Sequence, residues 1–180
     1  MKFGWADPPY LGQGQRLYGT HHTEAHVWDR PSTHLALVER LTSEYPDGWA
    51  MSLSSPSLTT ILPMCPTGAR VAAWVKPFAA FKPGVPVAYT WEPVIFTGGR
   101  RRGRDEDTVR DHLSENITML KGLPGAKPER FCSWILDLLG WAPSDQVDDL
   151  YPGTGVMGRV IAARSGIASP GELSLFEVTA

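Results

Sequence analysis

The stretch Lys2-Phe3-Gly4-Trp5-Ala6-Asp7-Pro8-Pro9-Tyr10 decides how this chain is read. Its opening is short, apolar and aromatic, which suits a buried strand. Pro8 and Pro9 carry no N–H and cannot extend a sheet ladder, so the strand must end there. A rigid diproline at the carboxyl end of a strand faces the crevice where α/β sheets take ligands. It would hold the Asp7 carboxylate, the Pro8 carbonyl and the Tyr10 ring in fixed relation. Two acceptors and a stacking surface suit an exocyclic amine on a heterocycle. At average proline usage, a match to Asp7-Pro8-Pro9-Tyr10 somewhere in the chain has a chance on the order of 1 in 1,000. The competing reading is a strand-ending turn with no further role.

Working outward, strands alternate with helices. Trp49 to Leu53 and Ala69 to Val75 are expected as strands, with a short helix over Pro56 to Met64 between them. Pro31 to Tyr45 places Leu35, Val38 and Leu41 at helical spacing. Leu11 to Trp28 is expected as a polar loop, and Phe78 to Pro86 as a proline-punctuated one. Val87 to Thr97 reads as a strand or a hairpin around Pro93. Thr108 to Leu120 reads as a helix. Lys127 to Leu139 is an amphipathic helix with Phe131, Trp134, Ile135, Leu138 and Leu139 on one face. Gln146 to Leu150 is a strand, Val156 to Arg164 a helix and Leu173 to Val178 a last strand. This alternation predicts a parallel α/β sheet with helices on both faces, formed by one domain over residues 1–180.

Composition agrees with a globular domain. The 180 residues are 42% hydrophobic and 20% charged, which argues against disorder and against a disulfide-stapled miniprotein. Glycine and proline, 18 and 16 residues, predict many turns. The net charge of −2 excludes a protein coated in positive charge but not a local basic patch. Cys65 and Cys132 have no metal-type spacing and are expected reduced and buried. No apolar signal core opens the chain and no run is long enough for a membrane helix. A soluble cytoplasmic protein with no membrane contact is therefore expected.

A second segment carries chemistry: Asp149-Leu150-Tyr151-Pro152-Gly153-Thr154-Gly155. A strand, a Gly-x-Gly turn and a helix form a nucleotide-type cofactor site, because glycines admit a ligand to the backbone and the helix N-terminus favours negative charge. Glu177 ends an apolar stretch about 20 residues later, where a carboxylate takes ribose hydroxyls. The alternative is a generic turn followed by a surface acid.

Together, the two segments resemble the S-adenosylmethionine-dependent amino (adenine-N6) methyltransferases of DNA. The Asp7–Tyr10 segment precedes the glycine turn, which looks like the permuted (β-type) motif order of a compact form of these enzymes. Trp74-Val75-Lys76, Trp91-Glu92-Pro93-Val94-Ile95-Phe96 and Lys127-Pro128-Glu129-Arg130-Phe131 resemble further family segments in the same order. The resemblance implies a Rossmann-like methyltransferase sheet. It implies that Asp7 and the Pro8 carbonyl accept hydrogen bonds from the adenine amine, with Pro9 completing the rigid turn and Tyr10 stacking on the extruded base. It implies S-adenosyl-L-methionine as cofactor. Asp149, Tyr151, Gly153, Thr154 and Gly155 would surround its methionine end, Glu177 would hold its ribose, and Lys127 with Pro128 would close over its amino acid portion. Asp at position 7 leans toward adenine N6 over cytosine N4.

The sequence also departs from the family pattern. About 25 residues follow Gly155, fewer than a full sheet of this type uses, so a strand is expected to be lacking. No large recognition insert is visible, and a homodimer is the expected way to complete the DNA-contacting surface. Arg100, Arg101, Arg102 and Arg104 form the densest basic run and are candidates for phosphate contact; the competing reading is a solvated loop balanced by Asp105-Glu106-Asp107. His21, His22 and His26 with Glu24 lack a second ligand cluster, so no metal is expected. Two other functions are weighed: methylation of RNA or another amine, and a non-catalytic, methyltransferase-like DNA-binding protein.

Overall fold

The computed structural model describes residues 1–20, 22–78, 84–118 and 126–167. In chain order the strands are β1 (Lys2–Ala6), β2 (Gly48–Ser52), β3 (Arg70–Val75), β4 (Trp91–Gly98), β5 (His112–Ser114) and β6 (Gln146–Asp149). The helices are α1 (Gly14–Tyr18), α2 (Pro31–Glu44), α3 (Leu58–Ile61), α4 (Glu129–Leu139) and α5 (Val156–Arg164). The strands form one sheet in the order β5-β3-β4-β2-β1-β6.

Side chains alternate across this sheet as period-2 geometry requires. Phe3, Trp5, Ala50, Trp74 and Val94 face one side and pack under α4 and α5. Ala6, Trp49, Met51 and Ile95 face the other and pack under α2 and α3. The α/β expectation, with helices on both faces, therefore holds. Gly4 is required by close packing: a Cβ there would stand 2.7 Å from the Tyr45 ring at the end of α2.

The sheet is not fully parallel. β4 runs antiparallel to both β2 and β3, while the β1–β2, β1–β6 and β3–β5 pairs are parallel. A parallel return needs a crossover, usually helical, and the sequence between β3 and β4 is punctuated by Pro77, Pro83 and Pro86, which disfavours a helix there. Val87 to Thr97 resolves into one strand rather than a hairpin. Pro93 is tolerated inside it because its carbonyl accepts from Leu53 N–H at 3.2 Å, just past the end of β2, so the missing donor falls where that ladder stops.

Three further expectations are corrected. The stretch 108–118 holds the edge strand β5, not a helix. Two indoles pin it extended: Trp74 Nε1 donates to the Glu115 carbonyl at 2.8 Å and Trp134 Nε1 to the Arg110 carbonyl at 2.9 Å. The 11–28 loop contains α1 and a 3-10 turn over Ala25–Asp29. The buried face of α2 is His34, Leu37, Val38 and Leu41, whereas Leu35 is exposed. The expected strand Leu173–Val178 lies outside the described residues.

Candidate active site

The carboxyl ends of β1, β3 and β6 and the amino end of β4 meet at one end of the sheet, since only β4 runs backwards. The chemistry-bearing segments emerge there. β1 stops at Ala6, and after the diproline the Tyr10 carbonyl accepts from Gln13 N–H at 2.9 Å, turning the chain into α1. Asp29 ties this excursion down by accepting from the N–H groups of Gly14 and Gln15 at 2.7 and 3.0 Å.

A buried polar network forms beneath the turn. Lys127, just ahead of α4, is 8% exposed and reaches three oxygens at once. Its Nζ lies 3.1 Å from Asp7 Oδ1 and 3.0 Å from Glu92 Oε2, and it donates to the Tyr10 hydroxyl at 2.7 Å. The Tyr10 hydroxyl donates to Glu92 Oε2 at 2.8 Å, with Asp7 Oδ1 at 3.4 Å. Lys76, at the end of β3, pairs with Glu92 Oε1. Two carboxylates and two ammoniums thus neutralise one another where the protein has removed most of the water. Such a pairing offsets the desolvation cost that a lone charge would incur here.

The titrations follow from this arrangement. Burial would raise the Glu92 carboxyl, but the Lys127 and Lys76 ammoniums hold it down to about 2. Burial pushes Asp7 up, and the Glu92 charge adds to that, against the pull of Lys127. Burial would lower Lys127, yet Asp7, Tyr10 and Glu92 keep it well above the ordinary lysine value. Burial drives the Tyr10 phenol well above its usual range, so it stays a donor.

The second segment lies beside the first. Leu150 N–H donates to the Trp5 carbonyl at 2.9 Å, continuing the β1–β6 register, and Asp149 Oδ1 accepts from Tyr151 N–H at 3.2 Å. Gly153 and Gly155 hold φ of 48° and 71°, left-handed values that glycine adopts without strain. The α5 helix starts immediately after Gly155 and has no side-chain cap, so its first N–H groups remain open to a ligand. Burial raises the Asp149 carboxyl. A cleft of about 880 Å³ runs between the two segments, bordered by Asp7, Pro9, Lys127, Asp149, Gly153 and Thr154. Trp28 and Tyr151 meet edge to face at 5.4 Å along its wall.

The structure thus brings Asp7, Pro9, Lys127, Asp149, Tyr151, Gly153 and Thr154 to one cleft. Pro8 is buried and does not border it. Tyr10 is turned into the polar network, its ring 5.2 Å from Lys127 Nζ. Pro128 precedes the first turn of α4 as its N-cap residue. Glu177 and His21 lie outside the described residues. No group of three or more His, Cys, Asp or Glu suited to a metal occurs among the described residues.

The arginine run is elsewhere. Arg100 pairs with both oxygens of Asp145 at 2.8 and 2.7 Å, and the chain's amino group bonds the same carboxylate at 2.8 Å. Arg102 donates to the carbonyls of Asp107 and Asp137. Arg100 therefore sits at the start of β1, the end of the sheet opposite Asp7, and both side chains are engaged in holding the fold. All four arginines of the run, Arg100, Arg101, Arg102 and Arg104, are exposed in this loop, and none borders the cleft.

In the sequence, Lys76 and Glu92 lie within family-like segments but carry no assigned role. Each is also a single charge at the end of an apolar strand. Their meeting depends on β4 being antiparallel to β3, which pairs Trp74 with Glu92 and Val75 with Trp91.

No protein-family model matches the chain. No curated protein matches it either. Solved structures do. The M1.HpyAVI–SAM complex superposes with a TM-score of 0.57 at 15% identity, covering 92% of this chain and 79% of that one. A putative DNA modification methylase from Thermus thermophilus, TTHA0409, gives 0.55 at 15% identity over 92% of this chain and 77% of that one. The same protein complexed with S-adenosyl-L-methionine gives 0.53 at 16% identity over 91% and 77%. The likeness establishes the fold: this chain has the α/β architecture of these methylase structures.

Proposed function

We propose that the chain is an S-adenosylmethionine-dependent methyltransferase acting on the exocyclic N6 amine of adenine in DNA. The observation that carries this reading is that one cleft is bordered both by the Asp7-Pro8-Pro9 turn and by the Asp149–Thr154 turn. The fold shared with methylase structures, two of them holding SAM, supports it.

The residues fit the cofactor. The left-handed glycines, the uncapped amino end of α5 and the half-buried Asp149 supply backbone donors and a carboxylate for an amino acid moiety. Asp149, Tyr151, Gly153, Thr154 and Gly155 would hold that end, and Glu177 would take ribose hydroxyls. When bound, S-adenosylmethionine supplies an activated sulfonium methyl group.

An aromatic amine is a weak nucleophile because its lone pair is delocalised into the ring. Asp7 and the Pro8 carbonyl, accepting its two N–H bonds, favour the pyramidal form and localise the pair on nitrogen. The diproline fixes both acceptors, so positioning contributes most of the rate. Tyr10 would offer its ring to the base. A base in a duplex must first leave the stack, at a cost of a few kcal/mol.

The test is calorimetric titration with S-adenosylhomocysteine, followed by transfer of labelled methyl groups to adenine-containing DNA and RNA. Stoichiometric binding with N6-methyladenine appearing in DNA is expected. Label entering only RNA would redirect the proposal to that polymer. A folded protein that binds no ligand at millimolar concentration and labels neither polymer would overturn it in favour of a non-catalytic DNA-binding role.

A further inference from the structure

The Lys127 side chain is not spent on the cleft alone. It bridges Asp7 Oδ1, Glu92 Oε2 and the Tyr10 hydroxyl within 3.1 Å of each. Lys127 Nζ and the Tyr10 hydroxyl both approach the Asp7 carboxylate at Oδ1. Among the described residues no hydrogen bond falls on Oδ2, and Asp7 borders the cleft. Asp7 therefore has one oxygen held from behind and one left for a ligand.

We propose that Lys127 and Glu92 are positioning residues for Asp7: Lys127 clamps Oδ1, Glu92 holds Lys127 and Tyr10 in place, and Oδ2 is thereby aimed at the substrate amine. This rests on the methyltransferase reading for what Oδ2 accepts, and on the geometry alone for the clamp. It moves Lys127 from the cofactor's amino acid portion to the acceptor side of the site.

Electrostatics support the clamp. Asp7 is drawn upward by burial and by Glu92, and Lys127 opposes both. An Asp7 that took up a proton would lose acceptor capacity and present a donor to an amine that already has two hydrogens. The other titratable groups that face Asp7 are Tyr10 beside it, Tyr18 on α1, Cys132 on α4 and Asp149 at the end of β6; Lys76 acts through Glu92. Burial lifts Tyr18, Cys132 and Asp149 alike. Lys127 is thus the cation in direct contact with Asp7.

The experiment is a carbon-13 NMR titration of the Asp7 carboxyl in the ligand-free full chain and in Lys127→Met, Lys127→Arg and Glu92→Gln. Neither cofactor nor nucleic acid is needed. Lys127→Met is expected to move the Asp7 titration up, and Lys127→Arg to return it toward wild type. Glu92→Gln is expected to move it down, since one repelling charge is gone and Lys127 is left to Asp7 alone. In methyl-transfer assays the acid limb of kcat should move the same two ways. At pH 7, Lys127→Met should lose on the order of 10- to 100-fold in kcat, as loss of an outer partner does elsewhere, with KM for the cofactor little changed. A merely structural role would lower activity evenly across pH and leave both limbs in place. An unmoved Asp7 carboxyl in well-folded Lys127→Met and Glu92→Gln overturns the clamp. Should Lys127→Met not fold, Glu92→Gln and Lys127→Arg still decide it. Carboxyl shifts as expected without any methyl transfer would sink the methyltransferase reading and leave the clamp standing.

Discussion

Asp7 is the residue on which sequence and structure converge. The diproline after it was legible because proline chemistry is local: two missing N–H groups end a strand whatever surrounds them. The partners of Asp7 were not legible, since Lys127 and Glu92 lie 120 and 85 positions away and meet it only through sheet order. Asp7→Ala should leave the fold intact, because this side chain is 22% exposed and packs no core. Turnover should fall on the order of 100- to 1,000-fold, the usual loss when a preorganised polar group at the reacting centre is removed. S-adenosylhomocysteine affinity, measured calorimetrically, should change little, because Asp149 and the glycine turn remain. A parallel loss of ligand affinity would show that Asp7 serves binding rather than the amine.

At the scale of elements, the existence of helices with a sustained apolar stripe is legible in the sequence. Single members such as Leu35 and Leu138 are not buried as expected, and short edges are not legible. The α4 pattern repeats over three turns, and Phe131, Trp134, Ile135 and Leu139 are buried as that spacing demands. In 108–118, Val109 and Leu113 stand four apart and imitate a helix. The deciding forces are the long-range indole donors of Trp74 and Trp134, which no local pattern encodes. Two predictions belong here. Ile135→Ala, at a fully buried position, should cost about 2–5 kcal/mol in urea denaturation. The partly buried Leu138 should cost clearly less on the same change. Trp134→Phe keeps an aromatic ring at the position but removes the indole donor to the Arg110 carbonyl, a loss of about 1–3 kcal/mol. Amide exchange should then quicken first at Leu113 and Ser114; uniform quickening across the sheet would mean that the indole hydrogen bond does not hold β5.

For the whole molecule, polar groups divide between the two ends of the sheet. The end bearing Asp7 and Asp149 carries an open cleft and a charge network with one carboxylate oxygen to spare. The opposite end is closed by Asp145, which accepts from the chain's amino group, Arg100 and Ala142 N–H at 2.7–2.8 Å. Arg100, the first member of the arginine run, closes the bottom of β1 through this carboxylate. This assignment has a pH signature. Burial alone would raise the Asp145 carboxyl, but its bonds to the amino group, Arg100 and Ala142 hold it down to about 2, against about 3.9 in an unfolded chain. A depressed folded value means that the stabilisation is complete above the unfolded value and is lost as pH falls through the folded one. Asp145→Asn should therefore lower Tm at pH 7. The gap from wild type should narrow between about pH 4 and pH 2 and close below that. Arg100→Gln should give a smaller drop at pH 7, since the amino group still holds Asp145. A gap that stays constant from pH 7 to pH 2 would show that Asp145 acts through packing or backbone geometry rather than as an ionised staple. A gap that closes as described fixes Asp145 as an ionised staple that ties Arg100 and the start of β1 together at the end of the sheet opposite the cleft.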